Sequence, residues 1–99
     1  MQKITLLFWE DNELKLEHEV ENFKDVDYRE DRYFRTVFYK FDRNELNSNL
    51  EKMLTSDEGK KITKVDMLIN DKPFASFDKP AIYLDLFPLH LVLHISQNK

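Results

Sequence analysis

The chain of 99 residues contains no cysteine. That absence excludes a disulfide scaffold, a thiolate nucleophile and a cysteine-ligated zinc. Glycine occurs once, at Gly59. Loops that cradle phosphate need several glycines so that the backbone can approach the anion. Neither a Walker loop nor a dinucleotide fingerprint can be built from this sequence. No stretch approaches the roughly 18 apolar residues that a membrane span requires. The longest apolar reach, Ala81 to Ile95, is broken by Asp85, Pro88, His90 and His94. Met1-Gln2-Lys3 leads straight into a strand-like run, with no charged region followed by an apolar signal core. The expected location is cytoplasmic, with no membrane association.

Hydrophobic residues make up 41% of the sequence and include eight Phe, four Tyr and one Trp. That supply of large side chains can close one core without a metal or disulfide staple. The length fits one domain, residues 1–99. With 34% charged residues, the composition is that of a soluble, folded chain.

Strict alternation dominates the pattern. Ile4, Leu6 and Phe8 define one face of a first strand. Leu14, Leu16, His18 and Val20 define one face of a second, with Lys15, Glu17 and Glu19 opposite. Glu10-Asp11-Asn12-Glu13 reads as the hairpin loop between them. Residues 21–31 are polar and read as a loop. Tyr33 to Phe41 is apolar on both faces and reads as a central strand. Asp42 and Glu45 have capping-box spacing, and Leu46, Leu50, Met53 and Leu54 then share a helical face. Gly59 suits the stop of that helix. Ile62 to Ile69, Phe74 to Phe77 and the alternating runs on either side of Pro88 supply the remaining strands, with a short helix begun at Pro80 as the alternative for residues 81–87. Pro73 points to an edge position for one of them, and the tail from Ser96 is expected to fray. The fold class predicted is α+β: a mainly antiparallel sheet of about five to seven strands, in the order β-β-β-α-β-β-β, covered by one helix.

The charge is unevenly placed. From Glu10 to Asp31 there are ten acids against three bases, a net of −7, while the whole chain carries −4, so the remainder nets +3. Glu17, Glu19 and Glu21 alternate along a strand, which sets neighbouring carboxylates about 7 Å apart on one face. A negative stripe of this kind attracts basic partners and speeds their association. Trp9 beside the acidic loop would add an aromatic anchor if no other element covered it. The expected function is that of a small inhibitor or accessory protein occupying a basic site on a partner. Its contact residues are Trp9, Glu10, Asp11, Glu13, Glu17, Glu19, Glu21, Asp25 and Asp27. Arg32 and Arg35 are the competing outcome, because they could neutralise the stripe within the fold.

Other chemistries have weaker support. Arg29, Arg32, Arg35, Lys40 and Arg43 interleave with Tyr28, Tyr33, Phe34 and Tyr39, a pattern that can stack bases. The acidic balance argues against direct nucleic-acid binding. His90 and His94 have i, i+4 spacing, but in an alternating strand and without further ligands they do not make a zinc site. No serine sits in a strand-turn-helix elbow. The chain is therefore read as a non-enzyme without cofactor or metal. The alternatives are a homodimeric assembly protein using exposed sheet edges and, last, a small metal-dependent hydrolase or nuclease.

Overall fold

The computed structural model describes residues 2–20, 22–45, 50–52 and 60–99. Eight strands run in chain order: β1 (Ile4–Glu10), β2 (Glu13–Val20), β3 (Val26–Glu30), β4 (Phe34–Asp42), β5 (Lys64–Ile69), β6 (Lys72–Asp78), β7 (Ala81–Leu86) and β8 (His90–Asn98). They form two sheets of four strands, ordered β2-β1-β5-β6 and β3-β4-β8-β7. Every pairing is antiparallel.

The inner faces of both sheets meet in one hydrophobic core. Ile4, Leu6, Phe8, Val20, Val65, Met67 and Phe77 enter it from the first sheet; Val37, Tyr39, Phe41, Leu91, Leu93 and Ile95 enter it from the second. A sheet with one apolar face must bury it, and here the cover is another sheet. The expectation of one sheet under a helix is therefore corrected. Among the described residues, helical structure is confined to Phe23–Asp25, Arg43–Glu45, 50–52 and 60–61. Leu50 is buried in the core. Leu46, Met53, Leu54 and Gly59 of the expected helix lie outside the described residues. Asp42 belongs to β4, opposite His90.

The eighth strand comes from the segment read as a loop. Val26 and Tyr28 are the inward residues of β3, opposite Tyr39 and Val37. Alternation over two apolar residues among acids is too short to stand out in the sequence, yet it supplies a complete inward face. The tail also departs from expectation: Ser96, Gln97 and Asn98 pair with Thr36, Arg35 and Phe34, and the Lys99 N–H donates to the Tyr33 carbonyl at 2.8 Å. The central position of β4 and the edge position of β6 agree with the pattern read from Tyr33–Phe41 and Pro73.

Polar links cross between the sheets. His18 Nε2 and the Tyr39 hydroxyl share a hydrogen bond of 3.2 Å in the interior. Arg35 in β4 donates to the Ser76 carbonyl of β6 and to Gln97 Oε1, the latter at 2.7 Å. Its guanidinium lies 4.8 Å from the Phe77 ring centroid. The planar group thus lies over an aromatic ring of the core while its Nη2 donates to both oxygens.

Candidate functional site: the acidic hairpin

The β1–β2 hairpin turns on Asp11 and Asn12, with Glu10 opposite Glu13 as the last strand pair. Asp11 takes φ 53°. Asp tolerates this left-handed region better than most residues. Its N–H donates to Thr63 Oγ1 at 2.7 Å, which ties the turn to the start of β5.

One residue later the pairing slips. Phe8 faces Leu16, but Trp9 faces Leu14, so Lys15 is the extra residue of a bulge. The bulge moves Leu14 to the outer face, where it is 43% exposed, while Leu16, His18 and Val20 stay on the inner face. The freed Lys15 ammonium reaches back to Glu10 at 3.3 Å and Glu13 at 3.2 Å. The hydrogen bonds to Glu13 and then Glu10 raise the Lys15 pKa above its ordinary 10.5.

Glu17 and Glu19 follow on the outer face, opposite Leu7 and Thr5. Both are exposed, on a strand at the edge of its sheet. Among the described residues neither forms an ion pair. Arg35 is directed to Ser76 and Gln97 instead, and Arg32 is exposed in the β3–β4 connection. The two arginines therefore leave the stripe facing solvent.

The other nominated residues divide between places. Trp9 is half-buried, with the Lys64 ammonium 5.3 Å from its ring centroid. Asp25 ends the turn before β3, and Asp27 lies in β3 of the second sheet, not on the hairpin. Asp27 accepts from Arg29 Nε at 2.8 Å. Glu21 lies outside the described residues. The hairpin thus brings together Glu10, Asp11, Glu13, Glu17 and Glu19.

The interleaved basic and aromatic residues do not converge either. Tyr39 is in the core, Tyr28 faces inward, and Arg43 Nε donates to the Phe87 and Pro88 carbonyls at 3.0 and 3.2 Å. Among the described residues no three His, Cys, Asp or Glu side chains are placed to hold a metal. His18 faces Tyr39 in the core, while His94 sits on the outer face of the second sheet.

That outer face carries an arrangement the sequence reading missed. Asp27, Phe38, His94 and Tyr83 are consecutive register partners across β3, β4, β8 and β7. Tyr83 stacks on His94 at 4.3 Å, Phe38 meets it edge-on at 4.8 Å, and Asp85 is bonded to its Nε2 at 2.7 Å. Beside this row lies an open depression of about 560 Å³ lined by Arg29, Glu30, Asp31, Phe34, Thr36 and Phe38. The signal was the opposite parity of β8: His90, Val92, His94 and Ser96 alternate against the leucines. No family model, curated protein or solved structure matches the chain.

Proposed function

We propose that the chain is a cytoplasmic binding protein whose acidic hairpin engages a basic surface on a protein partner. The observation that carries the proposal is the pair Glu17 and Glu19, exposed on an edge strand and free of ion pairs among the described residues. Internal pairing would have consumed their charge. Asp11 at the turn extends the negative surface, and the Glu10–Lys15–Glu13 cluster fixes the geometry of the strand entry. Exposed carboxylates of this kind steer encounter and select partners by sign more than they add affinity. The same charges discourage β2 from pairing with acidic strands, including its own copy. An inhibitor that blocks a nucleic-acid site by charge resemblance is one form this function takes.

A titration of the isotope-labelled chain with an extended, lysine-rich and arginine-rich peptide tests the reading. At low salt the amide shifts concentrate in Glu13–Val20, fade as ionic strength rises and vanish in the double variant Glu17→Lys, Glu19→Lys. Shifts centred elsewhere, or binding unchanged by the double reversal, would refute it.

A further inference from the structure

The four edge strands are not alike. Natural sheets protect their edges with charge, proline, bulges or short length, because an unprotected edge pairs with another strand. β2 carries Glu13, Lys15, Glu17 and Glu19 and a bulge. β6 carries Lys72, Pro73, Asp78 and a register shift that passes over Phe74. β3 has five residues, three of them Asp27, Arg29 and Glu30. β7 has neither a proline nor a bulge, and Asp85 is its one charge. Its sequence is Ala81-Ile82-Tyr83-Leu84-Asp85-Leu86, regular in register with β8. Its large side chains Tyr83 and Leu86 are 52% and 67% exposed, and Leu89 in the turn beyond is 82% exposed.

The main chain of β7 is presented in a definite pattern. The Phe87 N–H donates to the His90 carbonyl at 3.0 Å. Antiparallel ladders alternate, so Asp85, Tyr83 and Ala81 direct their polar backbone groups toward β8, while Leu86, Leu84 and Ile82 direct theirs away from it. Among the described residues no strand lies on that side.

We propose that β7 pairs with β7 of a second copy, antiparallel, about a twofold axis at Leu84. This register places residues of matching face opposite one another. Leu84 meets its own copy, and Ile82 meets Leu86 of the second copy. These are the residues whose N–H and C=O groups point outward, so each exchanges both bonds across the axis. On the other face Tyr83 stands opposite Asp85 of the second copy, a hydroxyl against a carboxylate. A shift by two residues along the strand loses the Ile82–Leu86 exchange. The strand is thus complementary to itself, as an isologous interface requires, and the pairing joins two four-stranded sheets into one continuous sheet. Leu86, more exposed than Tyr83, gains an apolar neighbour. The interface uses an edge separate from the acidic hairpin, so the two proposals stand or fall independently.

Sedimentation velocity across a concentration series of the full chain tests the pairing. A reversible monomer–dimer equilibrium is expected. Leu86→Pro removes an outward donor on each copy without touching the β8 ladder. It raises the dimer dissociation constant about tenfold or more, the loss expected for two net hydrogen bonds, and Leu86→Lys does the same while keeping the donor. Both variants retain the circular dichroism spectrum of the parent. Because the chain has no cysteine, single substitutions report the register. Leu84→Cys forms an intermolecular disulfide on mild oxidation, since hydrogen-bonded partners lie about 5.5 Å apart at Cα, and Leu86→Cys does not link to itself. A parent monomeric at every concentration, a dimer indifferent to both Leu86 variants, or a dimer linked through Leu86→Cys in preference to Leu84→Cys would overturn the proposal. A dimer lost on reversing Glu17 and Glu19 would also overturn it.

Discussion

His18 on β2 and Tyr39 on β4 share a hydrogen bond of 3.2 Å in the interior, with ring centroids 5.5 Å apart. Each comes from a different sheet, and both are almost fully buried. A hydroxyl in this setting is retained because a polar group without its partner is costly in the core. Tyr39→Phe keeps the ring and removes the hydroxyl that bonds His18. It should lower stability by about 1–2 kcal/mol, read as a lower urea midpoint with an unchanged slope. A changed slope would mean that the native or unfolded state itself had altered.

The bulge at Lys15 makes a sharper prediction. Plain alternation places Leu14 and Leu16 on one face, so truncating either should cost the same. The slipped register places Leu14 outward opposite Trp9 and Leu16 inward opposite Phe8. Leu16→Ala should therefore cost about 2 kcal/mol or more, and Leu14→Ala below about 1 kcal/mol. Equal losses in denaturant unfolding would contradict the bulge.

This pair also shows where the sequence is legible. The strands Ile4–Glu10 and Phe34–Asp42 were visible because long alternating or aromatic runs dictate their faces. The Asn70-Asp71 dipeptide is a turn signal in itself, because Asn and Asp tolerate the positive φ that both residues adopt there. The bulge left no mark, since Leu14, Leu16, His18 and Val20 keep perfect period two across it. β3 was hidden because its inward face consists of Val26 and Tyr28 among acids. With that strand missing, the eight strands could not be divided into two sheets, and the one helical pattern stood as the available cover. In the candidate site, the exposed acids were legible from charge alone. The covering of Trp9 by Lys64 was not, because it depends on β5 lying beside β1.

Charge reversal on β2 separates binding from folding. Glu17 and Glu19 are exposed and form no ion pair among the described residues, so Glu17→Lys with Glu19→Lys should leave thermal stability within about 0.5 kcal/mol of the parent. The variant should elute and unfold as the parent does while losing the salt-sensitive encounter with basic peptides. A large stability loss would show that these carboxylates are structural and would remove the basis for assigning them to a partner.

Asp31 shapes the β3–β4 connection and gives a pH signature. Its Oδ1 accepts from the Tyr33 N–H at 2.7 Å and the Phe34 N–H at 2.8 Å. The bonds from Phe34 and then Tyr33 favour the charged carboxylate and hold its pKa below the ordinary 3.8. A depressed folded pKa contributes stability that is complete above the unfolded value and is lost as pH falls through the folded one. The gap in stability between the parent and Asp31→Ala should therefore be constant from neutrality down to about pH 5 and shrink below about pH 4. Urea unfolding of both proteins across that range measures it. Carbon-detected titration of the Asp31 carboxyl provides the direct check, with a midpoint below that of an unstructured aspartate. A gap that widened on acidification would carry the wrong sign for a carboxylate held by backbone donors.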